Sequence, residues 1–105
     1  MKTWPEIWEV ASQIDGATSE NELLTLYSLA INTKKPRTVV EVGCDFGRST
    51  YVLANTESNL VVVDNFCIER PGVNAKDVFF ENMKNLGMRI DLRIQDSFSA
   101  SQEFV

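Results

Sequence analysis

The stretch Glu41-Val42-Gly43-Cys44-Asp45-Phe46-Gly47-Arg48-Ser49-Thr50 sets the fold of this 105-residue chain. It opens inside Thr38-Val39-Val40-Glu41-Val42, a short β-branched run that reads as a buried strand. Gly43 ends that run, the loop extends to Gly47, and Arg48 to Asn55 reads as a short helix. Glycines at a strand-to-helix turn permit positive φ and let a ligand come close to the backbone. Free N–H groups at the start of the helix, with the hydroxyls of Ser49 and Thr50, favour an anionic group. The alternative is a tight turn with no ligand. The spacing is E-x-G-x-x-x-G-x-S, with Asp45 where a dinucleotide fingerprint has its second glycine. Such a loop suits a carboxylate or another small group better than a pyrophosphate.

Working outward, Leu60-Val61-Val62-Val63 reads as a second buried strand closed by Asp64-Asn65. The Arg89–Gln95 stretch alternates Ile90, Leu92 and Ile94 with charged residues, the pattern of a third strand exposed on one face at a sheet edge. Between these two strands Asn74-x-x-Asp77 caps a helix with Val78, Phe79, Met83 and Leu86 on one side, and Gly87 is its stop signal. Ahead of the first strand lie two helices, each opened by a capping box: Thr3-x-x-Glu6 with Pro5, and Ser19-x-x-Glu22. Trp4, Ile7, Trp8, Ala11 and Ile14 recur at helical spacing in the first, and the second carries Leu23, Leu24, Leu26, Tyr27, Ala30 and Ile31. Ser99-x-x-Gln102-Glu103-Phe104-Val105 reads as the opening of one more helix.

The order predicts an α/β chain: two leading helices, then β-α-β-α-β with a three-stranded parallel sheet and right-handed crossovers. That is part of a Rossmann-like doubly wound fold. The chain reads as one truncated domain, with a helical lead-in at 1–35 and a ligand-binding half at 36–105.

In such sheets ligands bind outside the carboxyl ends of the strands, which gathers three candidate groups. The first is the glycine loop. The second is Asp64, about 20 residues beyond Gly43, the separation at which a carboxylate holds a ribose diol. The third is Asp96-Ser97 at the end of the third strand, where adenine polar atoms could be read. Each has a plain structural alternative: Asp64 as a strand-ending turn residue, Asp96-Ser97 as a helix cap. Cys44 either lines the loop or is a small buried hydrophobe. Glu69 and Arg70 either close over a ligand or belong to a solvated loop. Trp4, Trp8 and Phe79 read as core. Together, the loop and Asp64 point to an adenosine-containing ligand.

Composition excludes several functions. The chain has no histidine, so Ser-His-Asp triads, Cys-His pairs and histidine zinc sites are ruled out. Ten basic against 15 acidic residues, a net charge of −5, argues against nucleic acid as a partner. Lys34, Lys35 and Arg37 form one short basic cluster that reads as a solvated loop. Cys44 and Cys67 make neither a disulfide framework nor a metal motif, and a reducing cytoplasm is the default. No apolar run is long enough for a bilayer.

The same residues resemble the class I S-adenosylmethionine-dependent methyltransferases, above all small-molecule and sugar O-methyltransferase-like members. The likeness is carried by Ile14-Asp15-Gly16 with Ser19-x-x-Glu22, Leu26-Tyr27-x-Leu29-Ala30, Val40-Glu41-Val42-Gly43-x-x-x-Gly47-Arg48-Ser49-Thr50, Val63-Asp64, Phe80-x-Asn82 and Gln95-Asp96-Ser97. It implies that Glu41, Gly43, Gly47 and Ser49 surround the methionine part of S-adenosylmethionine, in the loop that Cys44 would line. By the same likeness Asp64 binds the ribose, and Asp96 with Ser97 flanks the adenine. It further implies methyl transfer to a small-molecule acceptor in a complete domain, with this chain as the cofactor half, inactive alone. No base can be named from it. In that family a fourth strand lies beside the first, so Thr38–Val42 would be an apolar edge that a second copy or a partner chain completes. The alternatives are a non-catalytic module that binds the cofactor or its product, or serves assembly, and a nicotinamide-binding half.

Overall fold

A computed structural model describes residues 1–67, 71–88 and 90–104. Glu69 and Arg70 lie outside the described residues, as do Arg89 and Val105. The elements run α1 (Trp4–Ala11), α2 (Glu20–Ile31), β1 (Thr38–Val42), α3 (Arg48–Ala54), β2 (Asn59–Val63), α4 (Ala75–Asn85), β3 (Asp91–Arg93) and α5 (Ser97–Ser101), with a 3₁₀ turn at Gln102–Phe104. The sheet is parallel with order β1-β2-β3, Val40 pairing with Val61 and Val62 with Leu92. This is the α/β architecture anticipated, an open three-stranded sheet compatible with a partial Rossmann-like fold.

Local chemistry accounts for the helix starts. Both capping boxes form: the Thr3 hydroxyl accepts from the Glu6 N–H and the Ser19 hydroxyl from the Glu22 N–H, and each glutamate reaches back to its cap. Asn74 caps α4 through the Asp77 N–H at 3.2 Å. The last helix starts two residues before Ser99, because the Asp96 carboxylate accepts from the Ser99 N–H at 2.7 Å and so fixes the first turn. β3 is shorter than its alternating pattern, spanning three residues.

The pleat sorts the packing. Val62 faces Cys44, Phe79 and Met83, so α4 covers that side of the sheet. Glu41 is the register partner of Val62 and shares its face, where its carboxylate meets Ser49 and Thr50 of α3. Thus α3 and α4 lie on one face, as two right-handed crossovers require. Val61 and Val63 point the other way and pack on Ala100 of α5. The lead-in helices add a third layer, with Ile7, Ala11, Leu23 and Tyr27 in one cluster with Tyr51 and Val52 of α3.

Arg37 corrects the reading of the basic cluster. It is not solvated but 7% exposed. Its guanidinium donates to the carbonyls of Ile31 (3.3 Å), Thr33 (3.0 Å) and Thr56 (3.0 Å), where α2 and α3 end. Three helix-end carbonyls without ladder partners supply the negative potential that a carboxylate would otherwise provide. Lys35 pairs with Glu57 on the surface. Among the described residues no helix is long and apolar enough to cross a membrane.

Candidate functional site

The carboxyl ends of the three strands bring the sequence candidates to one edge. Gly43 leaves β1 at φ +85°, and no heavy atom lies within 4 Å of where its Cβ would stand. A side chain is therefore excluded by backbone conformation and not by crowding, and the space above Gly43 is open to a ligand. Asp45 also has positive φ, +47°, at the position where dinucleotide folds carry a second glycine. Aspartate is among the few side chains that tolerate this conformation.

Gly47 does a different job. At φ +104° its vacant Cβ direction points into α4, where Met83 Cε would stand 2.6 Å away and Phe79 3.3 Å. The residue lets α3 approach α4, and its open side is filled by protein. Asn82 completes the support: its amide donates to the Phe46 carbonyl at 2.9 Å, which ties the loop to α4. Asn82 appears in the sequence resemblance without a role, and its spacing from Phe79 and Met83 on the helix gives the only sequence signal for one.

Asp64 joins the two halves of the site. Its Oδ2 accepts from the Cys44 N–H at 2.8 Å and from Cys44 Sγ at 3.4 Å, and its Oδ1 accepts from the Phe66 N–H at 2.7 Å. Burial raises its pKa, but the hydrogen bonds, those from the Cys44 and Phe66 N–H groups foremost, outweigh that and hold the carboxyl below its ordinary value. It is charged at neutral pH. The carboxylate that ends β2 is thereby locked onto the glycine loop that ends β1. Phe66 pays for its part with φ +54° and rests on Phe79, ring centroids 5.9 Å apart.

Glu41 is 8% exposed and accepts hydrogen bonds from the Ser49 and Thr50 hydroxyls. Burial pushes its pKa up, the two hydroxyls partly offset this, and the Asp64 charge adds to the rise. Ser49 therefore spends its hydroxyl proton on Glu41, with its oxygen left as an acceptor. Cys44 is buried, and its thiol is pushed far up by burial and by the charges of Asp64 and Glu41, so it stays protonated.

At β3 the structural alternative applies. Asp96 is the cap of α5, accepting from the Ser99 N–H and hydroxyl (3.1 Å), and these bonds lower its pKa. Ser97 is the first residue of α5, and both are exposed. Trp4 and Trp8 stack on each other at 6.3 Å within the helical layer, and Phe79 is buried, as core readings require. α3 has only seven residues, so little macrodipole stands behind the loop, and the site's character comes from Gly43 and Asp64. Among the described residues no three acidic or cysteine side chains form a metal-binding group. Comparison with protein-family models and with curated proteins finds no match to this chain.

Proposed function

We propose that this chain is the cofactor-binding part of an S-adenosylmethionine-dependent methyltransferase that acts on a small-molecule acceptor. The observation that carries the reading is the lock between Asp64 and the Cys44 N–H beside the open space at Gly43. It puts an ionised carboxylate and an uncrowded glycine backbone side by side at a parallel-sheet carboxyl edge, the setting for a ribose next to a compact polar group. The fit is specific in its limits. A ribose diol would accept a place at Oδ1 and displace the weak Cys44 Sγ contact at Oδ2, while the backbone bonds from Cys44 and Phe66 stay. Gly47, packed against Met83, contributes by shaping the loop. Asp96 and Ser97 stand at the neighbouring strand end, where their exposed polar atoms would meet the adenine edge.

The sulfonium cofactor, when bound, supplies an activated methyl group. The chain's residues bind and orient: Asp64 fixes the ribose, Gly43 admits the backbone approach, and Glu41 holds Ser49 and Thr50 in place at the start of α3. The free thiols of Cys44 and Cys67 accord with a reducing cytoplasm.

A second reading, a binding module without turnover, is favoured by one observation. Three acidic groups at the site already have donors: Glu41 has Ser49 and Thr50, Asp64 has Cys44 and Phe66, and Asp96 has Ser99. None of the three is a ready base.

Calorimetric titration with S-adenosylhomocysteine tests the proposal. Binding is expected, weakened roughly 10- to 100-fold by Asp64→Asn, the scale of a charge-assisted hydrogen-bond pair. Gly43→Ala should weaken it by placing a methyl in the open space, and because φ +85° strains any side chain the affinity is compared per folded molecule, with thermal unfolding measured alongside. No heat at millimolar ligand removes the proposal, and tighter binding of NADH replaces it with a nicotinamide site. Labelled methyl transfer to a broad acceptor set separates enzyme from module.

A further inference from the structure

We infer that Arg48 is a positioning residue that couples the Gly43–Gly47 loop to the connection between α1 and α2, so that a ligand on the loop is felt at residues 12–18. The inference rests on the ligand reading above. Arg48 is the first residue of α3, immediately after Gly47, and its side chain reaches the connection between α1 and α2. Its Nε donates to the Ile14 carbonyl at 2.7 Å and its Nη1 to the Thr18 carbonyl at 2.8 Å, with a longer Nη2 contact to Ser12 at 3.5 Å. The guanidinium also lies over the Trp8 ring, 5.7 Å from its centroid.

One planar cation therefore gathers three carbonyls of a connection 30 or more residues away in sequence and the Trp8 indole of α1. Carbonyl groups in a loop have no ladder partners, so the fork of Arg48 decides the path of the connection. Gly16 records how close the packing is: a Cβ there would stand 3.4 Å from Arg48 Cβ and Nε. Thr18 in turn lines the groove along the outer edge of β1 together with Gly43 and Ser49, so the segment that Arg48 holds reaches the β1 end of the candidate site. Contacts run both ways along this path. Whatever seats the loop must steady Arg48, and whatever frees the connection must loosen the loop. A lysine in place of Arg48 would bring its three donors on one nitrogen and could not span the carbonyls that the guanidinium reaches from three nitrogens.

Trp8 makes the coupling visible. The chain has two tryptophans, and Trp4→Phe leaves Trp8 as sole reporter under the guanidinium. Titrating that variant with S-adenosylhomocysteine should change Trp8 emission with the midpoint that calorimetry gives. Arg48→Met, which keeps the aliphatic stem, should abolish the emission change and weaken binding roughly 3- to 30-fold, with Arg48→Lys intermediate. Hydrogen exchange on the unaltered protein supplies a readout independent of any variant: ligand should slow exchange of the amides at 12–18. Calorimetric binding with unmoved Trp8 emission and unchanged exchange at 12–18 would overturn the coupling alone. Calorimetric silence overturns the ligand reading and the coupling with it.

Discussion

Glu41 is the residue at which burial and function pull hardest against each other. Its carboxylate sits on the sheet face under α3, and burial raises its pKa above the ordinary 4.5 despite two hydroxyl donors. A raised folded-state value means that Glu41 stabilises the fold below its unfolded pKa, and that this contribution is lost as pH rises through the folded value. Asp64 has the opposite sign. Its pKa lies below 3.8, so its contribution is present above that value and lost as pH falls through the folded one. Asp64 therefore costs stability toward acid and Glu41 toward alkali. Glu41→Gln can accept from one hydroxyl and donate to the other, and it removes the charge. Thermal unfolding across about pH 4.5–8 should show the unaltered protein losing stability toward the alkaline end while the variant stays flat. Parallel curves would mean that Glu41 does not titrate in this range. The sequence reads Glu41 as a site residue because it precedes Gly43, and the spacing to Ser49 and Thr50 is visible. That both hydroxyls turn inward onto it is not legible, because it depends on how α3 docks.

At the scale of elements, the ends of helices were the most legible part of the chain and the clamps between them the least. Thr3, Ser19 and Asn74 act within three residues of themselves, so their partners are written beside them. Arg37 looks like Lys34 and Lys35 in sequence, yet it bridges carbonyls that end α2 and α3, with Thr56 and Ser58 about 20 positions further on. Nothing local separates an arginine that will be enclosed from one that stays in water. Asp96 shows the reverse: its local role as a cap was readable, and its place at the carboxyl edge follows from parallel topology. Arg37→Met tests the clamp. The stem still fits, but the carbonyls of Ile31, Thr33 and Thr56 lose their donor in a buried setting. The expected cost is about 3 kcal/mol. A chain of this size should then unfold roughly 10–25 °C lower, with the candidate site's ligand affinity per folded molecule unchanged. A shift of only a degree or two would show that the carbonyls find other donors.

For the whole molecule the decisive feature is the outer edge of β1. The Arg37 carbonyl and the Gly43 N–H both pair with β2, so the alternate residues Val39 and Glu41 face inward, and the backbone groups of Thr38, Val40 and Val42 point out of the sheet. None of these three residues is charged, and Val42 is 62% exposed and Val40 41% exposed. Leu26 and Leu29 of α2 flank the same strand, which makes a groove with an unpaired ladder on one side and apolar side chains on the other. The handedness of the fold says which way a strand would run there. α5 lies on the face opposite α3 and α4, and a right-handed crossover on that face would return from β3 past β1, so this edge suits a strand added parallel to β1. In a solution of this chain alone the available occupant is a second copy. The prediction is association that grows with concentration, and grows further with salt because each copy carries a charge of −5 that screening relieves. Val42→Lys places a charge on the open edge, where it costs the folded monomer less than about 0.5 kcal/mol, and it should return the protein to a monomer in light scattering. A monodisperse monomer of the unaltered chain at every concentration and salt would mean that water satisfies the ladder of Thr38, Val40 and Val42, and the edge would then carry no tendency to pair.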